Sequence, residues 1–346
     1  MCIGGRSAPV AGQTAERGFV AQPAPIPIPV STLVPGLGGV PSSAPLAAPA
    51  HRLVRPRLYI DARHGLGNRL RAIASAAVIA RRTGRQLVIV WEPDDHCGCR
   101  FGDLFHHDGP VIETAFPRVF ARAGGVLYNY MEIEPGAQKD APVLAGEAPA
   151  PDGPRASARD DVYVRSAYPL LSPHTSWKEE RAVLLGLRPV AEVTDLVRSV
   201  RAPNQVAAHV RMASGPGFEH LSWESPANWP AAAHAELAAW RAKSHARHFM
   251  ARLDALVAAG MAETIFLAAD LLETYDSFRD RYGARLACLP RDCFDRSARQ
   301  AQYALADALL LGSAERFLGS TWSSFTDLAR RLSRRIGVVE MSGRDF

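Results

Sequence analysis

Leu58-Tyr-Ile-Asp-Ala-Arg-His-Gly-Leu-Gly-Asn-Arg-Leu-Arg71 is the stretch on which the fold turns. Leu58 to Ile60 has the character of a buried strand end, and His64-Gly-Leu-Gly67 is a glycine loop. From Asn68 onward, Leu70, Ile73, Ala74, Ala77 and Val78 recur at helical spacing. Gly84 stands where a residue tolerant of left-handed backbone closes a helix. Gln86-Leu-Val-Ile-Val-Trp91 is the next strand. The pattern predicts a βαβ unit whose glycine loop, Gly65 and Gly67 included, lies at a helix N-terminus, a ready anion site. Arg63, Arg69 and Arg71 crowd the positive end of that helix. Each opposes the helix dipole by about 0.3–1 kcal/mol, and an anion in the loop would reverse the sign. Phosphate is the ligand expected there.

Outward from this unit, alternation of strands and helices continues. Val162-Tyr-Val-Arg165 reads as a strand, Glu192 to Val200 as a helix, and Gln205-Val-Ala-Ala-His-Val-Arg-Met212 as a strong strand. Pro230 suits the first turn of a long helix that breaks near Ser244-His245. Thr264 to Ala269 is a buried strand, Gln300 to Leu311 a helix, Arg316 to Gly319 a short strand and Phe325 to Arg331 a helix. Such alternation in both halves predicts two α/β domains with parallel sheets. The expected division is 56–203 and 204–346. Residues 1–55 are rich in Pro, Ala, Gly and Ser and are expected to form a disordered leader, because such a segment buries too little to offset chain entropy. Residues 136–158 read as a long loop.

The 346 residues are 47% hydrophobic and 22% charged, with a formal net charge of +5, as expected of a soluble globular chain. No Lys/Arg block marks nucleic-acid binding. No apolar run approaches the ~20 residues of a membrane span, and no compact signal-peptide core stands at the N-terminus. Five scattered cysteines argue against a disulfide scaffold. A reduced, cytoplasmic setting follows, free or peripheral to a membrane. His96-Cys97-Gly-Cys99 has part of a metal-ligand spacing but no partner pair, so no metal is expected.

In open α/β sheets ligands gather at the carboxyl ends of strands. Four such ends carry suggestive residues. The Gly65-Leu-Gly67-Asn68 loop lacks the third glycine of a dinucleotide fingerprint, so it is not an NAD site. His209 and Arg211 are two apart and share a strand face, where an arginine pairs bidentately with phosphate or forms an internal salt bridge. Asp270 follows Ile265-Phe-Leu-Ala-Ala269, placed either to meet a ribose or a guanine edge or to cap the following helix. Gly319-Ser-Thr-Trp-Ser-Ser-Phe325 is a hydroxyl-rich turn into a helix, either an anion site or plain capping by Ser323 or Ser324.

Together these segments resemble the fucosyltransferase superfamily: protein O-fucosyltransferases and the α-1,6- and α-1,2-fucosyltransferases. Its members carry G-x-G-N, H-x-R, a later strand ending A-T-D, and S-S-F-S before the last helix. This chain has Gly65-Leu-Gly-Asn68, His209-Val-Arg211, Ala268-Ala-Asp270 and Ser323-Ser-Phe-Thr326, over about residues 57–332. Ala306-Asp-Ala-Leu-Leu-Leu311 is similar to the helix that precedes the S-S-F segment. The resemblance implies a GT-B-like α/β fold, two Rossmann-like domains facing a cleft, and a metal-independent, inverting transfer of a sugar from a GDP-sugar, fucose foremost, to a glycan or protein acceptor, with no cofactor. It implies that Arg211 contacts the diphosphate and that Ser323, Ser324 and the Phe325 amide hold phosphate. Asp270 and His209 would read the nucleoside, and Asn68 would face the reacting centre. Two departures stand out: Met212 where many relatives have a second arginine, and Ala269 for threonine. The general base is open among His64, Glu219 and Glu224, and Trp223 or Trp229 would stack on an acceptor sugar or pack a lid. The rival reading is a non-catalytic nucleotide-sugar or glycan-binding protein of the same fold.

Overall fold

The computed structural model describes residues 55–131, 137–138, 140–145, 160–213 and 231–346. The expected leader, save Arg55, and most of the expected 136–158 loop lie outside the described residues. So does the segment carrying Glu219, Trp223, Glu224 and Trp229.

In the first half, β1 (Arg57–Ala62), α1 (Leu66–Arg82) and β2 (Gln86–Val90) form the expected βαβ unit. There follow β3 (Phe105–His106), β4 (Val111–Ile112), α2 (Pro117–Arg122), β5 (Val126–Asn129), β6 (Val162–Ser166), α3 (Trp177–Leu185), β7 (Arg188–Pro189) and α4 (Ala191–Arg198). In the second half come β8 (Val206–Val210), α5 (Ala231–Lys243), α6 (Ala246–Ala258), β9 (Ile265–Ala269), α7 (Leu272–Tyr282), β10 (Leu286–Ala287), α8 (Ala298–Leu311), β11 (Arg316–Gly319), α9 (Ser324–Leu332) and β12 (Val338–Met341). The helix predicted after Pro230 does break at Ser244-His245, where the His245 ring accepts from the Arg247 amide as an N-cap. The short strands and α2, α3 and α7 carry no periodicity strong enough to be read beforehand.

Each half holds a five-stranded, wholly parallel sheet, in the orders β4-β2-β1-β6-β5 and β10-β9-β8-β11-β12. Both faces of each are covered, as parallel sheets require. In β8, Ala207 joins the large core shared with the first half, while Val206, Ala208 and Val210 pack with Phe249 and Leu253 of α6 and Phe278 of α7. The outer face of the first sheet is a smaller aromatic cluster, with Tyr59 and Tyr163 against Phe116 and Phe120.

The strand orders locate the site. In the first sheet the chain moves outward from β1 to β2 and β4 on one side, and β6 and β5 lie on the other, so the order reverses between β1 and β6. In the second it reverses between β8 and β11. Crevices for ligands open at the carboxyl ends of strands at these reversals. The glycine loop follows β1, His209-Val-Arg211 ends β8, and the Ser323-Ser-Phe turn follows β11.

Candidate active site

At the first reversal, the backbone turns sharply after β1. His64 adopts φ 64°, a left-handed conformation uncommon for a residue with a Cβ. Gly65 then serves as N-cap of α1 with φ −67° and no side-chain cap, so the first amides of the helix are left for a ligand or water. The two glycines of the loop have different reasons. A Cβ on Gly65 would meet nothing within 4 Å, whereas one on Gly67 would lie 2.6 Å from the Ser324 carbonyl oxygen and 3.0 Å from the Phe325 amide. Gly67 is glycine because the start of α9 passes over it.

Two of the three arginines crowded at this helix start meet carboxylates of the fold itself. Arg63 pairs with Glu92 at 2.7 Å and Asp94 at 3.2 Å. Arg69, fully buried and stacked 4.8 Å over Trp91, pairs with Asp94 at 2.8 Å and donates to the carbonyls of His64 and Glu92. Asp61, also fully buried, holds Arg165 and the Tyr163 hydroxyl. Burial pushes the Asp61 carboxyl above its ordinary range, against the pull of Arg165 and Arg63. Arg71 is the exception: it donates to Asn68 Oδ1 at 2.6 Å and to the Ala167 carbonyl at 3.1 Å. His64 stacks on His96 at 4.8 Å, and burial together with that neighbour lowers its pKa to about 4, against the upward pull of Asp94. The ring is therefore neutral above that pH.

At the second reversal, the carboxyl end of β8 is tied down by hydroxyls and backbone. Ser320 Oγ donates to the His209 carbonyl at 2.8 Å and accepts from the Arg211 amide at 2.9 Å, bridging β11 to β8. His209 is buried, its Nδ1 2.8 Å from Thr326 Oγ1 and its ring centroid 4.9 Å from Phe325. Burial lowers its pKa to about 3, against the pull of Asp270. Arg211 lies one residue beyond the strand, not on its face as the alternation suggested, and its guanidinium pairs with Asp270. Asp270 also accepts from the amides of Met212 at 3.0 Å and Ala213 at 2.8 Å. Burial alone would raise this carboxyl, but Arg211 and the Ala213 amide outweigh it and hold it below the ordinary range. Asp270 caps no helix, since Leu271 is the N-cap of α7 and makes no side-chain cap bond. Its oxygens are turned to Arg211 and the chain after β8, a role the sequence did not assign.

The α9 start completes the site. Ser323 is the N-cap, its hydroxyl accepting from the Thr326 amide, which is the capping reading of this segment. Trp322 precedes it with φ 59° and 48% exposure. The ten residues singled out in the sequence are thus one connected set. Gly67 touches Ser324 and Phe325; His209 touches Phe325 and Thr326; Ser320 joins His209 to Arg211; Arg211 joins Asp270; and Gly65 and Asn68 share the loop that His64 opens. Ser320 and Thr326 lie inside quoted stretches and were within reach of the reading. Tyr275 was not: its buried hydroxyl bonds both the amide and the carbonyl of Ala269, fixing the strand end before Asp270. Glu92 stands out in the sequence only as an acid at the end of the second strand; its pairing with Arg63, and that of Asp94 with Arg63 and Arg69, leaves no periodic trace.

No protein-family model and no curated protein sequence matches the chain. Solved structures do. It is similar to an α-1,6-fucosyltransferase, NodZ, soaked with GDP-fucose, at 20% identity and a TM-score of 0.51, over 82% of this chain and 94% of that one. It is similar to fucosyltransferase NodZ from Bradyrhizobium at 19% identity and 0.51, over 82% and 95%. It is similar to POFUT1 in complex with GDP at 14% identity and 0.50, over 85% and 100%. The chain has the fucosyltransferase fold. The expected class, α/β with two parallel-sheet, Rossmann-like halves of GT-B type, is thereby met. Within this fold the His96-Cys97-Gly-Cys99 loop packs inward. Cys97 and Cys99 are buried with their sulfurs 3.5 Å apart, and among the described residues no three His, Cys, Asp or Glu side chains converge as metal ligands. Among the described residues no helix is long and apolar enough to cross a membrane.

Proposed function

We propose that the protein is a glycosyltransferase that takes a sugar, foremost fucose, from a GDP-sugar to a hydroxyl of a glycan or protein acceptor, with inversion and without a metal. The observation that carries this reading is the contact of Gly67 with Ser324 and Phe325. It brings the open N-terminus of α1 and the capped N-terminus of α9 against each other at the carboxyl ends of both sheets. Two helix starts and Arg211 concentrate positive potential on one point, where a departing diphosphate needs it. The similarity to folds crystallised with GDP-fucose and with GDP supports the choice of donor.

In this reading residues 204–346 bind the donor and 56–203 present the acceptor. The sugar's C1–O bond to the diphosphate breaks while the acceptor oxygen bonds to C1 from the opposite face. Arg211, the Ser324 and Phe325 amides and the Ser323 hydroxyl receive the developing charge, and Asn68 donates to the reacting centre. His64, neutral and next to the loop, takes the acceptor proton. His209 serves as a neutral strut between β8 and α9. The test is GDP release from GDP-fucose over a panel of glycan and peptide acceptors, with and without EDTA. Turnover that survives EDTA is expected. GDP binding without turnover on any acceptor would instead make the protein a nucleotide-sugar binder, a reading favoured by Asp270 already neutralising Arg211. Loss of turnover in EDTA, restored by Mn²⁺ or Mg²⁺, would overturn metal independence.

A further inference from the structure

Three arginines surround the start of α1, and their surroundings differ. Arg63 and Arg69 each meet carboxylates. Arg71 forms no ion pair among the described residues. Its guanidinium donates through Nε and Nη2 to the Ala167 carbonyl, at 3.3 and 3.1 Å, and through Nη2 to Asn68 Oδ1 at 2.6 Å, and it lies 5.6 Å over the Tyr168 ring. A half-buried cation satisfied by carbonyls alone keeps its charge on offer. Burial lowers its pKa, with Asp327 of α9 the main opposing influence, so the charge is felt at the α9 start.

The bond to Asn68 fixes more than a distance. A guanidinium only donates, so the atom of the Asn68 carboxamide that faces it has to be the oxygen. The amide NH₂ is thereby turned away from Arg71. Asn68 is the residue after Gly67, whose own neighbours are Ser324 and Phe325. Arg71 is anchored in turn by the chain just past β6, the other strand of the first reversal.

We propose that Arg71 is a positioning residue for the transfer, locking the Asn68 carboxamide with its NH₂ toward the donor's diphosphate and reacting oxygen. The inference rests on the GDP-sugar reading above. It assigns to Asn68 the role of a hydrogen-bond donor, never an acceptor or base, and makes that role depend on a neighbour one helical turn away.

A double-mutant cycle tests it, using the full chain and GDP-fucose. Arg71→Met should lower kcat about tenfold or more while KM for GDP-fucose changes less than about threefold. In an Asn68→Ala background the same substitution should change kcat less than about threefold, since nothing remains to orient. Arg71→Lys, which keeps charge but loses the fork, should recover part of kcat; it replaces Arg71→Met in the cycle if the latter does not fold. Equal losses in both backgrounds, or parent-like kcat in Arg71→Met, would overturn the inference and leave the donor reading intact. A parent that neither binds GDP by calorimetry nor releases it would overturn both.

Discussion

The two sheet reversals solve the same problem with different materials. At the first, after β1, the loop is held by ionised groups: Arg63, Arg69 and Arg165 against Asp61, Glu92 and Asp94. At the second, after β8 and β11, it is held chiefly by hydroxyls and amides: Ser320 between strands, Thr326 on His209, Ser323 on its own helix, together with the Arg211–Asp270 pair. The first helix start is left uncapped and open; the second is capped. Charge that is neutralised locally holds a backbone in place without attracting a ligand. The first reversal is therefore held by electrostatics with its helix start uncapped, whereas the second is held chiefly by hydrogen bonding with its helix start capped.

The largest effect expected from this contrast is at Asp94. Asp94→Ala strands the fully buried Arg69 and should destabilise the fold by about 3–5 kcal/mol in urea unfolding. A loss under about 1 kcal/mol would mean that the carbonyls of His64 and Glu92 suffice for Arg69.

Arg211→Ala should act on function more than on fold. In the GDP-sugar reading the pair truncated is the one with the donor's diphosphate, which costs roughly 2–5 kcal/mol, or at least tenfold in turnover at 1.4 kcal/mol per decade. Arg211→Lys should rescue only partly. Unchanged GDP affinity in a folded Arg211→Ala protein would reduce this arginine to a clamp for Asp270.

The glycine pair gives a sharper, smaller test. Gly67→Ala pushes a methyl against the Ser324 carbonyl and should cost about 1–3 kcal/mol. Gly65→Ala, in open space at φ −67°, should stay within about 0.5 kcal/mol. Equal effects in thermal unfolding would contradict the packing of α9 on the loop.

A further effect is with pH. His64 and His209 titrate at about 4 and about 3 in the fold against 6.5 in the unfolded chain. Between these values the unfolded chain binds more protons, so stability rises with pH there. It is complete above 6.5 and declines as pH falls toward 4 and below, before protonation of Asp270, whose pKa is lowered, adds its own loss. The urea midpoint should be lower at pH 5 than at pH 7.5, and His64→Gln should flatten part of that slope.

Local sequence determined the elements whose signals are local. Helical and strand periodicity placed β1, α1, β2, β8, β9, α8 and β11 in the sequence, and glycine placed the loop before α1 and the stop after it. Hydroxyl-rich Ser323-Ser-Phe announced a helix start. Parallel pairing followed from the alternation itself, because parallel strands need a crossover between them. Only the tertiary structure decided what each charged residue meets. The sequence crowds Arg63 and Arg69 at a helix start, but only the fold brings Glu92 and Asp94 to them at the sheet edge, and only the fold sets Asp270 against Arg211. Gly67 read as a phosphate glycine and is explained by the backbone of α9, far away in the chain. The reason is physical: periodicity is a property of neighbours along the chain, whereas a charge is satisfied by whichever group folding brings within about 4 Å, and that choice leaves no mark on the residues beside it.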